Sequence, residues 1–278
     1  MNFNASKCKV LTITRSHAPI SFNYHLDGSI LEHVGEFKDL GVILDKSLSF
    51  KSHITALVSK SNRMNGIIKR SAGFKAPRNV KLQLYKTLVR PCTEYSSQVW
   101  SPSMKNEILL TENVQRSMTR FICGESDLSY SERCQNLELL PLSYRREIAD
   151  LIFCFKYLHG FMNVDFSDAL HILSSSVCLR SSHNGLLLEE TQTRTEHFKS
   201  MYFNRLPHLW NILPRDIRDC DNLNSFKSKL FNHYFTRLQS SYDVFFIHVH
   251  GRQIVVLVFI IFLVLCDCFP PFEGVIFK

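Results

Sequence analysis

The sequence predicts an α+β fold, with a small β-rich segment over the first fifty residues and a mainly helical remainder. Two observations carry this. Residues 1–50 hold short β-branched runs broken by turn residues, and from Lys51 onward apolar residues recur at helical spacing. The helical part also opens on a concentrated block of positive charge.

In the β-rich part, Val10-Leu11-Thr12-Ile13-Thr14 reads as a strand. Asn23 to Leu26 and Ser29 to Leu31 flank Asp27-Gly28, a two-residue hairpin signal. Phe37 to Leu44 (FKDLGVIL) reads as one further strand, in which Gly41 permits close backbone approach.

The block from Lys51 to Arg90 contains ten Lys or Arg residues and no Asp or Glu, against a net charge of +8 for all 278 residues. The cations are Lys51, Lys60, Arg63, Lys69, Arg70, Lys75, Arg78, Lys81, Lys86 and Arg90. Such a surface is the electrostatic footprint of a phosphate-backbone binder. It also suits an acidic protein or an anionic membrane, and a solvated basic face without a ligand has the same composition. Ile54, Leu57, Val58, Met64 and Ile68 fall on one side of a helix at about 100° per residue, with Lys60, Arg63 and Arg70 roughly opposite. Ser61 and Asn65 interrupt the apolar stripe and require close packing or a polar partner.

Pro77 starts a second helix, which Pro91 should kink or end. A third runs near Glu112 to Cys123, with Val114, Met118, Phe121 and Ile122 inward. Leu142 to His159 is the clearest of the later helices, stopped by Gly160. Residues 163–197 are polar and Ser-rich and receive no assignment. Asn224 or Ser225 caps a final helix through Tyr234. Phe74, Tyr85, Tyr95 and Trp100 lie within or next to the basic block. At helical spacing such aromatics read as core, with base stacking the minority reading.

Nine scattered cysteines form no CxxC pair, and the twelve histidines are equally dispersed, so no metal site is read. Without a signal peptide this implies reduced thiols and an intracellular location, nuclear or cytoplasmic. No Gly-rich phosphate loop, paired carboxylates on a strand turn or nucleophile motif appears, and no small-molecule substrate is evident. Asp216, Asp219 and Asp221 read as a solvated helix end. Ile254 to Cys266 is thirteen apolar residues long. As a helix it reaches about 20 Å, short of the roughly 30 Å hydrocarbon core, which leaves an imperfect membrane span, a buried element or an unselected tail as readings.

The ordered series KCKVL, FKDLGVILDKSLSFKSHI, LYKTLVRPCTEYSSQVWSP, ENVQRSMTRFI, YSERCQNLELLPLSYRREIADLIFCFKYLHG and LWNILPRDIR resembles the C-terminal part of reverse transcriptases from jockey-type non-LTR retrotransposons. The resemblance implies a palm remnant with a primer-grip-like hairpin at 1–50, a basic helical thumb at 51–125, a helical post-thumb region at 126–240 and a hydrophobic tail at 241–278. The tail has no counterpart in that pattern. The resemblance further implies an RNA-directed DNA polymerase whose partner is the template–primer RNA/DNA backbone. Lys38, Leu40, Gly41 and Val42 match the primer grip, and Lys51, Lys60, Arg63, Lys69, Arg70, Lys75, Arg78 and Lys81 match the duplex-tracking thumb. Lys7, in SKC, matches a lysine that implies a general acid for the departing pyrophosphate.

The family's aromatic-Ala-Asp-Asp turn, which holds two Mg2+ ions, would lie just before Met1, and neither FADD nor YADD occurs in the sequence. The expectation is a chain that needs no cofactor of its own, binds template–primer and does not polymerise by itself. The rival readings are the thumb half of an active polymerase whose catalytic turn is encoded upstream, a membrane-tethered relic or interaction protein touching lipid through residues 254–266, and a non-functional pseudogene product.

Overall fold

A computed structural model of the chain describes residues 4, 7–14, 22–124, 127–173 and 187–249. In it the N-terminal part forms three two-stranded pairings. Strand β1 (Lys9–Val10) pairs in parallel with β4 (Glu32–His33), so the run expected to reach Thr14 is strand only at its first residue. Strands β2 (His25–Leu26) and β3 (Ser29–Ile30) form the expected hairpin. Its turn residues Asp27 and Gly28 both take positive φ, 48° and 73°, the geometry that matches the right-handed twist of the strands.

Residues 37–44 correct the single-strand expectation. They fold as a second hairpin, β5 (Glu36–Asp39) against β6 (Val42–Asp45), with Leu40 and Gly41 at its tip. The positive φ of Gly41, 90°, is a turn signal that the flanking apolar residues masked.

Asp45 joins this hairpin to the first helix. Its carboxylate accepts bonds from the amides of Ser47, Ser49 and Phe50 and from both serine hydroxyls. Burial raises its pKa, but the bonds from Ser47 and Ser49 outweigh that and hold it at about 2. Helix α1 (Lys51–Ala72) follows and buries His53, Ile54, Leu57, Val58, Ser61, Asn65 and Ile68. The polar interruptions of its stripe are both buried. Asn65 Nδ2 donates to the Val114 carbonyl at 3.1 Å, and Ser61 is wholly enclosed.

Pro91 does not end the second helix at once, and the regular α-helical pattern is interrupted just before it. Helix α2 (Arg78–Leu84) widens into a π turn over Tyr85–Val89 and continues as α3 (Arg90–Glu94). A π turn relieves the clash between a proline ring and the carbonyl four residues back. Helix α4 (Ser97–Trp100) leads to α5 (Lys105–Cys123), which starts two turns earlier than expected. Then come α6 (Tyr130–Asn136), with a Ser129/Glu132 capping box, and α7 (Leu142–Leu158), stopped at Gly160 with φ 67°. Short helices α8 (Glu196–Lys199), α9 (Tyr202–Asn211) and α10 (Arg215–Arg218) precede α11 (Leu223–Val249). Asn222, one position before the helix, serves as its cap, accepting from the Asn224 amide at 2.7 Å.

Two apolar cores result. One gathers Val42, Ile54, Leu57, Val58, Tyr85, Trp100, Val114 and Met118, among others, between β6, α1, α2–α3 and α5. The other packs α7, α9, α10 and α11 around Leu151, Phe155, Trp210, Phe226 and Leu230. Each such residue contributes about 1.5–3 kcal/mol of burial. Segment 134–140 feeds both, since Leu137 and Leu139 join the first and Cys134 and Leu140 the second. Among the described residues no helix is long and apolar enough to cross a membrane, and residues 254–266, on which the membrane reading rested, lie outside the described residues.

Candidate nucleic-acid interface

The basic block divides into cations that face solvent and cations that the fold consumes. Lys51, Lys60, Arg63, Arg70 and Lys75 are exposed. Lys60, Arg63 and Arg70 share the outer side of α1, away from its buried stripe. Lys81 departs from the expected surface position. It is only 5% exposed, its ammonium donates to the Phe74 carbonyl at 3.0 Å, and it sits 4.9 Å from the centre of the Phe121 ring. Arg78 donates to the Asn136 carbonyl at 2.9 Å and so ties α2 to α6. Arg90 and Arg145 both pair with Glu94, Arg145 in a two-pronged contact. These groups hold helices together.

Lys69 lies between the two classes. Its ammonium donates to Ser117 Oγ at 2.8 Å. Asn65 meets Val114 and Lys69 meets Ser117, so α1 and α5 run side by side in the same direction. On α5, Asn113, Arg116, Ser117 and Arg120 follow i, i+3, i+4, i+7 spacing and share one face. This face and the end of α1 enclose an open cleft of about 940 Å³, with Lys69, Phe74 and Phe121 on its walls and Asp127 also lining it. None of the ion pairs among the described residues uses Lys69, Arg116 or Arg120. Partial burial and then the neighbouring Arg120 charge lower the pKa of Lys69. Arg116 and Arg120 lie outside the 51–90 block; the polar stripe of α5 was the available signal, but its neighbour in space was not.

The aromatics of the basic region split as well. Tyr85 and Trp100 are core, at 0% and 1% exposure, whereas Phe74 is 79% and Tyr95 57% exposed.

The hairpin carries the primer-grip candidates. Lys38 is exposed on β5, Val42 is buried against α1, and Leu40 is 83% exposed at a φ of 44°. Tyr95 OH donates to the Leu40 carbonyl at 3.0 Å, and a side chain on Gly41 would meet the Tyr95 ring at 3.5 Å. Trp100 Nε1 in turn donates to the Tyr95 carbonyl at 2.7 Å, and its ring packs on His53 at 5.2 Å. His53 Nδ1 accepts from the Ile43 amide at 3.3 Å. Hairpin and helices are thus joined by a continuous set of contacts. Lys7 is exposed in a short turn, its amide donating to the Asn4 carbonyl. Its match to a general acid adds no described partner.

Among the described residues no group of three or more His, Cys, Asp or Glu side chains fits a metal ion.

No protein-family model matches the chain, and no solved structure matches it. Two curated proteins are similar to it, both named RNA-directed DNA polymerase from mobile element jockey. The one from Drosophila funebris is 33% identical over 128 residues, covering 45% of this chain and 14% of that protein. The one from Drosophila melanogaster is 32% identical over 136 residues, again covering 45% of this chain and 14% of that protein. The resemblance noted in the sequence is therefore shown, over less than half of the chain and a small fraction of each relative's length.

Proposed function

We propose that this chain, which is similar to part of the jockey-type RNA-directed DNA polymerases, is a reverse transcriptase fragment that grips the sugar–phosphate backbone of a template–primer. The observation that supports it most is the cationic side of α1, where Lys60, Arg63 and Arg70 face solvent and join none of the ion pairs among the described residues, while Ile54, Leu57 and Val58 anchor the helix. An element that grips a duplex needs this combination: a rigid apolar back and cations free of intramolecular carboxylates. The β5–β6 hairpin, with Gly41 at its tip, would approach the primer strand. The proposal is confined to backbone binding.

Salt titration tests the reading. Binding of a primed RNA template should weaken with log salt at a slope of about −0.9 per phosphate neutralised. Replacing Lys60, Arg63 and Arg70 together by Ala should flatten the slope by nearly three such increments. Unchanged affinity and slope would refute the assignment.

A further inference from the structure

The cleft between α1 and α5 carries features that backbone gripping does not use. Phe74 is the most exposed aromatic residue beside the basic helices, at 79%. Lys81 fixes its carbonyl, and its ring meets Phe121 edge-on at 5.4 Å. An exposed phenyl group on a held backbone, with its ring set against a second phenyl group, offers a stacking surface to a flat ligand.

Charge in the same cleft is arranged unfavourably for an empty surface. Arg116 and Arg120 stand one turn apart, a like-charge spacing that destabilises a helix. Lys69 adds a third cation against Arg120, and no described carboxylate pairs with any of them. Arg116 is placed by packing over the Tyr130 ring at 4.4 Å. An incoming anion would relieve this repulsion. Asn113 and Ser117 lie between the cations and supply neutral polar groups. Three cations, neutral polar groups, a bare aromatic and one carboxylate, Asp127, line a cleft of about 940 Å³, net positive and with room for a nucleotide unit and its phosphate.

We infer that the α1–α5 cleft is a single-strand subsite, where an unpaired nucleotide stacks its base on Phe74 and sets its phosphate between Lys69 and Arg120. This rests on the nucleic-acid reading of the chain but adds a second site. From His53, beside the hairpin, to Lys69 the helix rises about 24 Å, so the cleft lies well away from the hairpin. A duplex end or unpaired template could then be held apart from the paired region.

The test uses the full chain and fluorescence anisotropy with three probes: an oligo(dT) of about twelve nucleotides, an abasic strand of equal length, and a blunt duplex. Phe74→Ala is expected to weaken oligo(dT) binding about tenfold and to leave duplex binding unchanged. Wild-type chain should prefer oligo(dT) to the abasic strand, and Phe74→Ala should lose that preference. Phe74→Leu keeps apolar packing but no aromatic face, and should behave like Phe74→Ala if stacking is the cause. Replacing Arg116 and Arg120 by Gln should reduce the single-strand salt slope by about 0.7, the share of the one phosphate held there.

Equal affinity of wild type and Phe74→Ala for oligo(dT), or of wild type for oligo(dT) and the abasic strand, would overturn the subsite. If the Lys60, Arg63 and Arg70 replacement still flattens the duplex slope, only the subsite fails. If the wild-type chain binds none of the probes, the broader reading fails with it.

Discussion

The phenol of Tyr95 donates to the carbonyl of Leu40 at 3.0 Å, tying the end of the basic helical segment to the tip of the hairpin fifty-five residues earlier. Leu40 occupies the left-handed region at φ 44° with its side chain 83% exposed. A leucine there gains almost nothing from burial and carries backbone strain of about 1–2 kcal/mol. The tip therefore holds a conformation that its own sequence does not favour, and Tyr95 is one of the contacts that maintain it.

Leu40→Asn should stabilise the chain by up to about 1 kcal/mol, because Asn tolerates this backbone region far better. Tyr95→Phe should cost about 0.5–1.5 kcal/mol and speed amide hydrogen exchange in the β5–β6 hairpin. Urea unfolding and exchange on the two variants check both. A loss of primed-template binding in a stabilised Leu40→Asn protein would show that the exposed leucine is kept for contact with the ligand.

Glu112 is buried in α5, where its carboxylate accepts from the Leu142 amide at 3.0 Å, from the Ser143 amide and from the Tyr130 hydroxyl. It thereby caps the start of α7 from another helix, and burial followed by its charge raises the Tyr130 pKa. Gln115 extends the network, accepting from Tyr85 OH at 2.7 Å and donating to the Leu140 carbonyl at 3.0 Å. Glu112→Ala should cost about 3 kcal/mol, since buried amides and a hydroxyl lose their acceptor, and Tyr130→Phe about 1–1.5 kcal/mol. Denaturant midpoints of the single and double variants should show strong coupling between the two sites.

His53 sets an acid limit on the hairpin–helix junction. Its Nδ1 accepts from the Ile43 amide, so the proton of the neutral ring sits on the enclosed Nε2, and protonation would set one N–H against another. Burial, and then the charge of Lys38, lower its pKa below the ordinary 6.5. A histidine depressed in the folded state binds protons more readily when unfolded. Its stabilising contribution is thus complete above pH 6.5 and falls as the pH drops below that value. Thermal melts between about pH 7 and pH 5 should show this loss, and His53→Gln should flatten that part of the profile.

Local elements were legible wherever chain-neighbour chemistry decides them. Asp27-Gly28 makes its hairpin because both residues accept positive φ. Leu40-Gly41 makes the same kind of turn but was hidden, because leucine seldom adopts it and the flanking residues read as one continuous apolar strand. The helical stripe of α1 was correct to the level of its polar interruptions, and Asn65 found its partner on a helix forty-nine residues away. At Pro91 the helix does not stop at once, because a π turn, which leaves no composition signal, absorbs the clash.

The sequence by itself determined the hairpin-then-helix order, the amphipathic basic helix and the likeness to jockey-type polymerases, since these depend on residue type and short spacing. Tertiary structure alone decided which positive charges are available. Lys81 was withdrawn to hold Phe74, Arg78 was spent on the Asn136 carbonyl, and Arg116 and Arg120 were brought beside Lys69. Periodicity tells which residues share a helix face, but what that face meets is set by packing between segments distant in the chain, and that packing decides whether a cation is buried, paired or left free for a phosphate.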